Sequence, residues 1–197
     1  MNAIPTIYKG QLFRSRLEAK WACFFDLVGW EWEYEPMDLN GWIPDFLING
    51  HTKLLCDVKP TQVFVPAVAQ KMENAVKGSG FECELIIIAM APFKPTEPND
   101  CLGDWAIGWL QQKGWDEESG ACLGWDARGW GEAAISFWSA GNGKLGLCHA
   151  DCIYRDRISG GYDGGRWGRG HHTFDPLLKW RQACNEAMWN RPAVSNR

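Results

Sequence analysis

The sequence predicts an α/β (α+β) protein. A three-layer core with a mixed central sheet is expected over residues 1–95, followed by a β-rich, Trp- and Gly-rich appendage over residues 96–197 that ends in a helix. Three observations predict this. Helix-period apolar stripes at 15–28 and 66–77 alternate with short strand-like runs. The run Leu85-Ile86-Ile87-Ile88-Ala89-Met90 is apolar without alternation, the pattern of a strand covered on both faces. The texture then changes: residues 101–170 hold sixteen of the 22 glycines and seven of the thirteen tryptophans, so strands and turns are expected there rather than helices.

The elements follow in order. Ile7–Phe13 carries Gly10 in its middle and reads as a short strand, a turn and the approach to a helix. From Ser15 to Val28, Leu17, Trp21, Phe24, Phe25 and Val28 fall on one helical face, and Gly29 supplies the stop. Ser15-x-x-Glu18 has the form of a capping box. Glu31 to Pro36 alternates acidic and aromatic residues, as a half-buried strand does, with the aromatics inward and the glutamates in solvent. Ile43–Ile48 and Leu54–Lys59 flank Asn49-Gly50 and predict a β-hairpin with a loop of two residues or more. Pro66 suits the first turn of a helix over 66–77, with Val68, Ala69, Met72, Ala75 and Val76 inward and Lys71, Glu73, Asn74 and Lys77 in water. Beyond residue 100, Asp104–Leu110, Ala121–Trp125 and Ala133–Trp138 read as strands. Asp175 as N-cap and Pro176 behind it open a terminal helix to about Trp189.

The hairpin carries the unusual charges. Side chains alternate along a strand, so Leu55, Asp57 and Lys59 share one face, and Leu54, Cys56 and Val58 the other. Asp45 interrupts Ile43 and Leu47 on their face. Charges within apolar strands are costly unless paired or bound to a metal. Two readings stay open: a buried Asp–Lys pair at a sheet edge, or carboxylates converging on a divalent cation. Glu18 is likewise read two ways. It is a cap partner of Ser15, or, with Trp21, Ala22 and Phe25 on its helical side, a carboxylate leaning over the sheet to join Asp45 and Asp57.

Composition narrows the class. Apolar content of 46% and charged content of 22% are those of a globular protein, and no apolar run approaches the roughly 20 residues of a membrane span. Met1–Pro5 lacks a basic-then-apolar leader, so a cytoplasmic location is expected. Cys23, Cys56 and Cys83 lie in apolar segments and read as small buried hydrophobes rather than as a disulfide framework. The net charge of −4 is uneven: residues 1–150 carry −7 and residues 151–197 carry +3. Arg155, Arg157, Arg166 and Arg169, interleaved with Trp and Gly, suggest a stacking platform with phosphate contacts, against the plainer reading of a small tryptophan-filled core. Cys148, His149 and Cys152 offer half a Zn²⁺ site, whose other half has to come from scattered residues such as His171, His172, Cys101 or Cys122.

Three signals in chain order carry a resemblance: Arg14-Ser15-Arg16-Leu17-Glu18-Ala19-Lys20-Trp21-Ala22 on a helix, Pro44-Asp45-Phe46 on a strand and Asp57-Val58-Lys59 on the next strand. Over about residues 8–90 the chain resembles the PD-(D/E)xK nuclease superfamily, with its restriction-endonuclease-like core, and in particular its small phage-encoded members. The resemblance implies that Glu18, Asp45 and Asp57, with the Val58 carbonyl, ligate Mg²⁺ or Mn²⁺, and that Lys59 orients or activates the attacking water. Arg14 and Arg16 are then candidates for DNA contact. The expected function is a metal-dependent DNA endonuclease of phage or mobile-element origin, acting alone or as a homodimer. The alternative is a nuclease-fold protein that binds or inhibits a host protein, or binds DNA, without cutting.

Overall fold

The computed structural model describes residues 3–95, 105–111, 130–140, 144–149, 156–160 and 175–189. Among them the chain is mixed α+β. A hairpin of β1 (Thr6–Tyr8) and β2 (Gln11–Phe13) leads into helix α1 (Arg16–Leu27). Strands β3 (Trp32–Tyr34), β4 (Phe46–Asn49) and β5 (Lys53–Val58) precede helix α2 (Pro66–Val76). Strands β6 (Glu84–Phe93), β7 (Ala106–Gln111), β8 (Trp130–Ala140) and β9 (Lys144–His149) follow, then helix α3 (Pro176–Trp189).

Strands β3 to β9 form one seven-stranded sheet in strictly sequential order. Every neighbouring pair is antiparallel except β5 and β6, which run parallel with Cys56 opposite Ile86. A parallel pair needs a crossover, and α2 supplies it. The β4–β5 turn spans Gly50–Thr52, so the hairpin loop is longer than the two-residue minimum.

Alternation along β5 and β6 divides the core. Leu54, Cys56, Val58, Ile86 and Ile88 face α1 and α3, whereas Leu55, Leu85, Ile87 and Ala89 face α2. On the first side α1 buries Trp21, Phe24 and Phe25 completely. Its indole is fixed at both ends: Trp21 Nε1 donates to the Ala89 carbonyl at 2.9 Å, and the ring lies 4.3 Å from that of Trp180 on α3. On the second side Ala69, Met72, Ala75 and Val76 pack down from α2, as their helical spacing predicts. Fully burying one such side chain contributes about 1.5–3 kcal/mol, so the two layers hold the strand ends firmly in register.

The expected boundary at 95/96 falls inside this sheet. Strands β7 to β9 extend it from the free edge of β6 rather than building a separate unit. Trp109 and Trp130 from that half are buried on the α2 face, with Phe64 5.7 Å from Trp130 and Phe93 5.4 Å from Trp109. Gly108 explains part of the glycine usage, since any side chain there would collide with the Ile87 carbonyl of the neighbouring strand. The strand expected at Ala121–Trp125 lies outside the described residues. No described helix is long and apolar enough to cross a membrane.

Candidate metal centre

The site lies where β5 ends and β4 begins, at the ends of two interior strands of the sheet. Because β4 and β5 are antiparallel, the residue before β4 and the end of β5 emerge together, and the Asp45 N–H donates to the Cys56 carbonyl at 2.9 Å. Asp45 and Asp57 are both nearly buried, at 5% and 7% exposure. The backbone of Lys59 stays bonded to β6, its N–H donating to the Ile88 carbonyl at 2.8 Å. Lys59 is therefore an extension of the strand and not a loop residue.

Glu18 arrives from α1. Ser15 is the N-cap: its hydroxyl oxygen accepts from the Glu18 N–H at 3.2 Å, and its hydroxyl donates to Glu18 Oε1 at 2.6 Å. The reciprocal half of a capping box, from the carboxylate back to the Ser15 backbone, is replaced by a bond from the Tyr34 hydroxyl to Glu18 Oε2 at 2.6 Å. Glu18 thus serves the helix start, as its capping reading expects, and also lines the cleft that holds Asp45 and Asp57.

Glu18, Asp45, Asp57, Val58 and Lys59 line one open cleft of about 460 Å³, together with Arg14, Gly41, Trp42, Ile43 and Lys71. Burial pushes the Asp45 carboxyl from its ordinary 3.8 up to about 6, and the charges of Asp57 and Glu18 push the same way. The Val58 N–H, which donates to Asp45 Oδ2 at 2.7 Å, and the Lys59 ammonium oppose the rise without cancelling it. Burial is the larger cause, since the lining sets three cations, Arg14, Lys59 and Lys71, against the three carboxylates Glu18, Asp45 and Asp57.

Each carboxylate also has a resident partner. Arg14 Nη2 meets Asp45 Oδ1 at 2.8 Å, Lys59 Nζ meets Asp57 Oδ2 at 2.5 Å, and Glu18 is held by Ser15 and Tyr34. With these contacts in place, no group of three or more His, Cys, Asp or Glu side chains among the described residues is gathered closely enough to hold a metal ion. The donor chemistry nonetheless suits a hard cation: three carboxylates, and a Val58 carbonyl whose nearest cation is Lys59 Nζ at 3.4 Å.

The remaining expectations divide. Arg14 is at the cleft. Arg16, the first residue of α1, is half-buried and makes no ion pair among the described residues. Arg157 does not present a phosphate-binding cation: it is 3% exposed, and its Nε meets Glu84 Oε2 at 2.9 Å, because the 156–160 turn folds it beneath the β4–β5 loop. Arg155, Arg166 and Arg169 lie outside the described residues. So does Cys152, while Cys148 is buried on β9 and His149 ends that strand. Three residues of the site escaped the sequence reading. Tyr34 joins Glu18 to the Arg14 N–H, Glu35 binds Arg14 Nε at 2.6 Å, and Lys71 reaches the cleft from α2. The acidic–aromatic alternation before Pro36 placed Tyr34 inward, but gave no sign that Glu35 turns to an arginine. Glu35 takes a φ of +46°, off the strand geometry that the alternation assumes.

Comparison with protein-family models, curated proteins and solved structures finds no match to this chain.

Proposed function

We propose that the chain is a metal-dependent DNA endonuclease of the PD-(D/E)xK type, built on a restriction-endonuclease-like core. One observation carries the reading. Glu18 from α1, Asp45 before β4, and Asp57 and Lys59 at the end of β5 line a single cleft, although 40 residues of chain separate the first from the last. The order of these residues on helix, strand and strand is that of the family's motifs.

In this reading Glu18, Asp45, Asp57 and the Val58 carbonyl hold Mg²⁺ or Mn²⁺. When bound, the ion lowers the pKa of a coordinated water and offsets charge on the scissile phosphate. The chain's own residues supply the rest. Lys59 has a side chain one-third exposed at the cleft, with its ammonium fixed against Asp57. It orients the attacking water and sets a positive charge beside the phosphoryl oxygens as negative charge grows on them. The Val58 N–H fixes the Asp45 carboxylate, and Ser15 and Tyr34 fix that of Glu18, so neither has to search for its orientation when substrate arrives.

Purified protein incubated with Mn²⁺ or Mg²⁺ should nick or cut supercoiled, linear or branched DNA. Asp57→Ala and Lys59→Ala should lower the rate by about 10²–10³-fold or more. Equal behaviour of wild type and both variants on all three DNA forms would remove the assignment.

A second reading has one observation in its favour: the carboxylates are each engaged by a residue of the chain. In that reading the same fold binds a host protein or DNA without cutting. Titration of the chelator-treated protein with Mn²⁺ separates the two, because a binding protein with permanently engaged carboxylates releases no heat.

A further inference from the structure

Arg14 bridges the acid cluster to its rim by pairing with Asp45 and Glu35. Its main chain is fixed on both sides: Phe13 is fully buried, Ser15 caps α1, and the Arg14 N–H donates to the Tyr34 hydroxyl at 3.0 Å. Its side chain is 57% exposed and makes two ion pairs at once. Nη2 reaches the nearly buried Asp45, and Nε holds Glu35, whose side chain is 33% exposed. Glu35 adopts a φ of +46°, a left-handed conformation that a non-glycine residue takes only where its surroundings impose it. The guanidinium is thus tethered from outside the cleft by one carboxylate and inserted onto a candidate ligand by its far end.

We propose that Arg14 is the resident counter-cation of the acid cluster. It occupies Asp45 in the metal-free protein and yields that carboxylate to the divalent ion. Held by Glu35, it then turns the same fork to the phosphate of the bound strand. The inference rests on the endonuclease reading and adds an exchange to it. Only the Nη2–Asp45 contact has to break; the Nε–Glu35 contact keeps the guanidinium at the rim. A planar guanidinium suits this exchange, since carboxylate and phosphate present the same pair of acceptor oxygens to it.

The exchange predicts effects of opposite sign on two readouts. In calorimetric titration of chelator-treated protein with Mn²⁺, without DNA, Arg14→Ala should bind the ion about tenfold more tightly than wild type, because a competing positive charge has gone. Arg16→Ala removes an equal charge that has no carboxylate contact in the cleft, and should change affinity less than about twofold. In single-turnover cleavage at saturating Mn²⁺, Arg14→Ala should be slower by about tenfold or more, because a phosphate contact is lost. Arg14→Met keeps the aliphatic stem and should show the same pair of signs. Arg14→Lys keeps the charge and should bind Mn²⁺ nearly as wild type does. A merely structural Arg14 would weaken both readouts. Wild type that binds Mn²⁺ with Arg14→Ala binding it equally or less tightly overturns this inference alone. Wild type that binds no Mn²⁺ overturns the endonuclease reading and this inference with it.

Discussion

Two arginine–carboxylate pairs sit at opposite ends of β5, and they differ in almost everything but charge. At the start of the strand Arg157 is 3% exposed and meets Glu84, whose side chain is 12% exposed. The pair is sealed. The Arg157 carbonyl accepts from the Thr52 N–H and lies against Gly50, where any side chain would collide with it. Asp156 beside it accepts from the Leu147 and Ile158 amides. At the end of the strand, Arg14 is mostly exposed and meets Asp45 at 2.8 Å beside an open cleft. The same ionic chemistry is structural where backbone closes over it, and available for other work where solvent and a ligand can reach it. The Trp–Gly–Arg pattern placed Arg157, and the resemblance Arg14, among candidate phosphate contacts; burial separates them.

The largest expected effect is on stability. Removing one member of a buried pair leaves the other charge without compensation, at a cost of about 3–5 kcal/mol. Arg157→Ala should therefore lower the unfolding free energy in urea by about that amount. Arg14→Ala removes a mostly exposed cation from the nearly buried Asp45 and should cost less, about 1–2 kcal/mol. Similar losses for the two variants would break the distinction between a sealed and an open end.

The asymmetry also governs what the sequence could reveal. The core was legible because periodicity reports burial directly: the stripe Leu17, Trp21, Phe24, Phe25 predicted α1, and the unbroken run from Leu85 to Met90 predicted a strand covered on both faces, now β6. Glu18, Asp45, Asp57 and Lys59 stood out because charge in apolar surroundings has few explanations, and the structure brings all four to one cleft. Three things were not legible. The continuity of β7–β9 with the core sheet depends on β7 adding to β6, and strand patterns alone do not say whether consecutive strands join an existing sheet or build their own. The turn of Glu35 toward Arg14 depends on a backbone φ of +46° in a residue that carries no glycine signal. The burial of Arg157 depends on how the 156–160 turn meets the β4–β5 loop, and a Trp–Gly–Arg-rich segment reads the same whether its arginines face inward or outward.

Asp45 gives the next effect, with a sign that depends on pH. Its folded pKa of about 6 lies above its ordinary value of 3.8. A carboxyl with a raised folded pKa contributes its stability in full below the unfolded value and loses it as pH rises through the folded one. In chelator at pH 7.5, wild type therefore carries an unfavourable charge that Asp45→Asn removes. Two units correspond to at most about 3 kcal/mol, from which the lost Arg14 contact subtracts, so a gain of about 1–2 kcal/mol is expected. Near pH 4 the gain should vanish. Added Mn²⁺ should stabilise wild type and not the variant, in proportion to the ion's affinity for the folded state. Thermal melts at the two pH values, with and without Mn²⁺, check all of this.

Two glycines sharpen the contrast without touching a charge. Gly41 at the cleft and Gly160 at the sealed end have φ values of +83° and +75°. Both pay the left-handed penalty on replacement by alanine, about 1–2 kcal/mol. A Cβ at Gly41 meets nothing within 4 Å, whereas one at Gly160 meets the His51 ring at 2.5 Å. Gly160→Ala should therefore be the more destabilising by about 1 kcal/mol or more in urea unfolding.

The smallest effect tests the cleft from its least obvious member. The Tyr34 hydroxyl donates to Glu18 and accepts from the Arg14 N–H, so it links the helix carboxylate to the backbone that carries the arginine. Burial first, and the bond to Glu18 second, raise its pKa well above the ordinary tyrosine value. It therefore stays a neutral donor across any working pH. Tyr34→Phe keeps the ring, which packs 4.5 Å from Phe13 and 5.5 Å from Phe46, and removes only the hydroxyl. The stability cost should be about 1 kcal/mol, that of ordinary hydrogen bonds at a half-buried site. If Glu18 is a ligand as proposed, cleavage should fall further than stability, by about tenfold, because its carboxylate is loosened. If the rate is instead unchanged while the melting temperature drops, Glu18 serves the start of α1 alone, and the open end has one carboxylate fewer than the proposed chemistry requires.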